Sequence, residues 1–88
     1  MASVKNLKKD INYVLGDVIE AILGWELLNP TKDAKKSEAL IDEVITVFDA
    51  LILKVNQKNV ENKNVHFKAI TQELEDKGND LLDKLSKL

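Results

Sequence analysis

The sequence predicts an all-α protein, an up-down-up three-helix bundle with left-handed coiled packing. Three observations carry that expectation. Apolar residues recur at three- and four-residue steps along most of the chain. Two short polar breaks, one around Pro30 and one at 56–59, divide it into three segments of similar length. The two-residue alternation that marks strands is absent.

The first segment spans about 3–28, with Ser3 as a candidate N-cap. Val4, Leu7, Ile11, Val14, Leu15, Val18, Ile22 and Trp25 fall on one helical face. It ends at Leu28-Asn29-Pro30-Thr31-Lys32, where Pro30 biases Asn29 away from helix and opens a new one. Asn29, Thr31 and Asp33 are the candidate caps there. The second segment spans about 31–56, with the stripe Ala34, Leu40, Ile41, Val44, Val47, Phe48, Leu51 and Val55. Asn56-Gln57-Lys58-Asn59 then breaks the pattern, with two candidate caps. The third segment spans about 60–87, with Val60, Phe67, Ile70, Leu74, Leu81, Leu85 and Leu88 in line. Each helix of about 25 residues is roughly 37 Å long. Connections this short make neighbouring helices antiparallel within one domain, 1–88. The alternative is a long helical hairpin that dimerises into a four-helix bundle, which requires the second break to stay helical.

Gly78 stands on the third stripe between Leu74 and Leu81. A glycine inside a helix costs about 1 kcal/mol against Ala, so a packing reason is expected. Matching the ends of the helices puts it near the level of Trp25, where it would make room for the indole.

Composition excludes several classes of function. With 88 residues there is room for one core. No Cys is present, which removes disulfide frameworks and thiolate metal sites and fits a reducing compartment. Lys5, Lys8 and Lys9 resemble the basic start of a signal peptide, but Asp10, Asn12, Asp17 and Glu20 interrupt the apolar run that must follow. No stretch approaches the roughly 18 apolar residues of a membrane span. The expectation is a soluble cytoplasmic chain, not transmembrane. All 13 basic residues are Lys, against 15 acids. Without the planar guanidinium fork, the chain is a poor candidate for specific nucleic-acid recognition.

The search for chemistry finds little. Di-metal bundles need Glu-x-x-His pairs, and the single His66 has Lys63 and Asn62 at those spacings, so it reads as a boundary residue of the third stripe. The pairs Asp17 with Glu20 and Glu38 with Asp42 read as solvated surface, because acid–base work needs a cleft that separates their pKa values. No nucleophile signature or phosphate loop is present. The expectation is a protein that is not an enzyme and takes no cofactor or metal.

Two surfaces remain. In an up-down-up bundle one end collects Lys5, Lys8, Lys9, Lys54, Lys58, Lys63 and Lys68, against Asp10, Asp49 and Glu61 only. The opposite end takes Glu20, Glu26, Glu38, Asp42, Glu43, Asp76, Asp80 and Asp83. Lys5, Lys8, Lys9, Lys54, Lys58 and Lys63 are the candidate anion-facing residues, toward nucleic acid or an anionic membrane surface. The second surface is apolar. Ile19, Leu23 and Leu27 form a second ridge on the first helix, and Ile45, Ile52 and Leu53 stand off the centre of the second stripe. A tilted bundle buries them within one subunit. Otherwise Ile19, Leu23, Leu27, Ile45 and Ile52 form an interface with a second copy or another helical protein.

The stretch Val4-Lys5-Asn6-Leu7-Lys8-Lys9-Asp10-Ile11-Asn12-Tyr13, onward through Trp25, resembles small uncharacterised helical proteins of Bacteroidetes-type bacteria. The resemblance covers mainly the first helix. It implies a bacterial cytoplasmic setting and assigns no activity and no functional residue.

Overall fold

The computed structural model describes residues 4–30 and 34–88. Three helices follow in order: α1 Val4–Leu28, α2 Lys35–Val55 and α3 Lys63–Ser86. Each packs against the other two, and no strand occurs among the described residues. The chain is an all-α three-helix bundle. It is a rod of 50 × 18 × 18 Å, with a radius of gyration of 14.7 Å against about 12 Å for a sphere-like chain of this length.

Side-chain contacts fix the up-down-up order. Ser37 Oγ donates to Glu26 Oε1 at 2.6 Å, joining the end of α1 to the start of α2. Lys54 Nζ donates to Glu73 Oε2 at 2.6 Å, and Lys84 pairs with Glu43, so α2 and α3 run antiparallel. The break at 56–62 is not helical, which removes the hairpin alternative.

The core follows the apolar stripes. Leu7, Ile11, Leu15, Val18 and Ile22 of α1 meet Leu40, Val44, Leu51 and Val55 of α2, and Ile70, Leu74 and Leu81 of α3. Ile41, Val47, Phe48, Phe67, Leu85 and Leu88 pack against this set from its edge. Val4, Val14 and Ala34 belong to the expected stripes but stand exposed at the margin. One buried position was not expected. Ser37 is fully buried, three residues before Leu40, with its hydroxyl between the Glu26 carboxylate and the Ala34 carbonyl. Its single proton goes to the carboxylate, the stronger acceptor.

The helix ends differ from the sequence expectation. Ser3, Thr31 and Asp33 lie outside the described residues. Asn29 is not a cap for α2. Its side-chain amide donates to the Trp25 carbonyl at 2.8 Å and so closes the C-terminus of α1. α2 starts at Lys35, behind Ala34, which makes no side-chain cap. In the second break, Asn56 is the C-cap of α2 and Asn59 takes a left-handed φ of 63°, a conformation Asn tolerates. The N-cap of α3 is Asn62, whose side chain accepts from the Val65 N–H at 3.2 Å. α3 therefore begins at Lys63, not Val60.

Gly78 is buried, but its neighbour is not Trp25. A Cβ built there meets Val14 Cγ1 at 3.3 Å, and no other side chain within 4 Å. The reason is the offset between the parallel helices α1 and α3. Residue 14 levels with residue 78, so Trp25 lies 11 residues farther along, about 16 Å away along the axis.

Candidate functional site

The apolar ridge of α1 and the margin of α2 come together along one long face of the rod. Periodicity places Gly16, Ile19, Leu23 and Leu27 on one line of α1. Ile41, Ile45, Phe48 and Ile52 form the facing line of α2. Between them runs a groove of about 240 Å³, lined by Asn12, Leu15, Gly16, Ile19, Val44, Ile45 and Phe48. Its floor is core and its walls are almost wholly apolar.

The five candidate interface residues divide within this face. Ile19 and Ile52 are half-buried and pack against the core. Leu23 is 50% exposed, Leu27 80% and Ile45 48%. The single bundle thus absorbs part of the ridge and leaves three large aliphatic side chains in water on one seam. Leu53, at 74% exposed, points elsewhere, eight residues past Ile45 and off its line.

The lysines gather at the end where α1 and α3 begin and α2 stops. Lys5, Lys8 and Lys9 lie around a shallow surface depression with Asn6, Asn12 and Tyr13. Lys58 and Lys63 stand at a second depression of about 430 Å³, with Val4, Val55, Val60 and Phe67 as its apolar wall. Lys54 is held differently, because its ammonium is bonded to Glu73. Neither α1 nor α3 has an acidic residue in its first turn, so the positive ends of two helix dipoles add to these lysines.

The opposite end carries exposed Glu20, Glu38 and Asp42. Other acids there are engaged. Glu26 accepts from Ser37, Glu43 and Asp80 flank Lys84, and Asp83 pairs with Lys87 at 3.0 Å. Lys84 is held above the ordinary lysine value, chiefly by its hydrogen bond to Glu43 and then by Asp80. Asp76 lies toward the middle of the rod, one helical turn from its partner Gln72.

The residues weighed for chemistry take structural places. His66 Nε2 donates to the Lys54 carbonyl at 2.7 Å, satisfying a carbonyl of the last turn of α2. The carbonyl can only accept, which fixes the proton on that nitrogen. Its ring lies 5.8 Å from that of Phe67. Asp17, Glu20, Glu38 and Asp42 are all exposed and share no enclosed cleft. Among the described residues no group of three or more His, Asp or Glu is placed to hold a metal ion. No described helix is long and apolar enough to cross a membrane.

No family model, no curated protein and no solved structure matches the chain.

Proposed function

We propose that this chain is a non-enzymatic helical interaction module that associates with a second copy of itself through the α1/α2 face. The observation that carries the reading is the ridge of α1, where Leu23 and Leu27 stand exposed, beside an apolar groove whose lining includes the exposed Ile45. A contiguous exposed apolar face on a small domain marks a partner surface. A closed two-fold pairing uses the same patch on both copies and buries it on both. A bacterial cytoplasmic setting is part of the same proposal and rests on the resemblance of the first helix to small helical proteins of such bacteria.

The test is the solution mass by light scattering across a hundredfold range of concentration. A mass near twice 9.9 kDa supports the reading. Leu23→Glu then returns the chain to a monomer without loss of helix, because Leu23 is outside the core. A monomer at every concentration overturns it.

A second reading rests on the Lys-rich end, as an anion-binding accessory surface for nucleic acid or an anionic membrane. Lys5, Lys8, Lys9, Lys58 and Lys63 would carry it, with Lys54 committed to Glu73. Binding to anionic vesicles or to nucleic acid should then weaken with salt and vanish when Lys5, Lys8 and Lys9 become Glu. No binding at low salt removes this reading.

A further inference from the structure

The loop between α2 and α3 crosses the lysine-rich end of the rod, and Asn59, at φ 63°, turns it just before Val60. Val60 lies with Val4, Val55 and Phe67 in the apolar wall of the depression of about 430 Å³ at that end. Val4 is 41% exposed, and Val60 and Phe67 are half-buried, so apolar groups reach water at the tip. Lys58 and Lys63 stand at the rim of the same wall. Lys5, Lys8 and Lys9 follow on the first turns of α1, with Lys9 five residues or about 7.5 Å behind Val4.

The charges at this tip are not used within the bundle. Lys54, Lys84 and Lys87 form ion pairs, whereas Lys5, Lys8, Lys9, Lys58 and Lys63 form none among the described residues. The opposing acids are Glu61 in the loop, and Asp10 and Asp49 about 9 Å up the rod. The five lysines and the exposed Lys68 outnumber them, so the tip stays positive. Its partner is therefore anionic.

The groups between the lysines distinguish the kinds of anion. A nucleic acid is gripped at its phosphates by cations and polar donors, and its bases stack on exposed aromatic planes. Here the centre is aliphatic, and Phe67 is half-buried with its ring against His66. An anionic bilayer takes both kinds of group at once. Ammonium groups stay among the headgroups on their aliphatic stems while methyl groups enter below them.

We infer that the tip formed by Val4, Val60, Lys58 and Lys63 docks end-on against an anionic lipid bilayer. This rests on the anion-binding reading of the same end and names its partner. It is independent of the α1/α2 face.

The test is co-sedimentation with vesicles of phosphatidylglycerol and phosphatidylcholine in equal parts, beside vesicles of phosphatidylcholine alone and a single-stranded DNA. The chain should bind the anionic vesicles at low salt, leave the neutral ones in solution and be released by KCl. A lysine at such a surface is worth about fivefold in affinity, so Lys58→Gln with Lys63→Gln should weaken vesicle binding about 25-fold. The decisive variants keep the charge. Val60→Gln and Val4→Gln should each weaken vesicle binding about threefold or more and leave any binding to DNA unchanged. Circular dichroism melts check that both fold, and Val4, at the exposed start of α1, serves where Val60→Gln does not. Binding to DNA without binding to vesicles overturns the lipid assignment and leaves the anion-binding reading standing. Folded glutamine variants that bind vesicles as tightly as the natural chain overturn the apolar contact and the proposal with it. No binding to either probe at low salt overturns both the proposal and the reading beneath it.

Discussion

Gly78 offers a test in which two opposed effects can be weighed. Replacing it by Ala removes the backbone penalty of glycine in a helix, a gain of about 1 kcal/mol. Against that, the new Cβ stands 3.3 Å from Val14 Cγ1, a few tenths of an ångström too close. Val14 is 37% exposed at the lip of the α1/α3 groove, so it has room to yield. Gly78→Ala should therefore lie within about 1 kcal/mol of the natural chain, on the stabilising side. Gly78→Leu adds three more carbons to the same contact and should cost about 1–3 kcal/mol by overpacking. For a domain of this size each kcal/mol shifts the melting temperature by about 4–8 °C. The assay is urea and thermal unfolding of both variants, each also made in a Val14→Ala background. Shortening Val14 should recover part of the loss in Gly78→Leu, with a coupling of about 0.5 kcal/mol or more. Recovery by Trp25→Ala in place of Val14→Ala, or a Gly78→Leu chain as stable as the natural one, would refute the packing argument.

Three further expectations test local interactions. Asn62→Ala removes the side-chain cap of α3 and should cost about 1 kcal/mol in unfolding experiments, with faster hydrogen exchange confined to that turn. Ser37→Ala takes the donor away from the Glu26 carboxylate and should cost about 1–2 kcal/mol, whereas Thr46→Ala on the exposed side of α2 should change little. Lys84 has its folded value raised by Glu43 and Asp80, so the stability it adds is complete at neutral pH and is lost as pH rises through that value. Denaturation monitored above pH ~10.4 should show that alkaline loss, and Lys84→Met should flatten it.

The three helices and their order were legible because the apolar period and Pro30 speak directly to them. Caps were less so, and the second break shows why. Asn56, Asn59 and Asn62 are chemically identical, yet one ends α2, one turns the chain at positive φ and one starts α3. Only the backbone path tells them apart. Asn29 is a similar case, since an asparagine between two helices can serve either end. Counting levels from the helix ends sets Gly78 beside Trp25, but the axial offset depends on where α3 begins, and Val14 is the neighbour. Ser37 lies on the stripe by its spacing to Leu40 and Val44, although a hydroxyl does not mark a core position by its chemistry. A small hydroxyl at a core position was the available signal. The apolar ridge was legible as excess, but only the assembled bundle separates Leu23, Leu27 and Ile45 from the half-buried Ile19 and Ile52.

The uneven distribution of apolar surface also has a consequence for salt dependence. α3 buries a single narrow line, Ile70, Leu74, Gly78 and Leu81, and leaves the broader arcs of α1 and α2 to meet each other. In the proposed dimer the α1/α2 hairpins of two copies form a four-helix layer, with α3 on the outer side of each. An apolar face holds such a layer in any salt, whereas an association held by the lysines of one end is screened by added ions. Sedimentation equilibrium across a KCl series therefore separates the two surfaces. A dimer whose tightness changes little with salt fits the α1/α2 face, and one that weakens steeply with salt would rule that face out as the main contact.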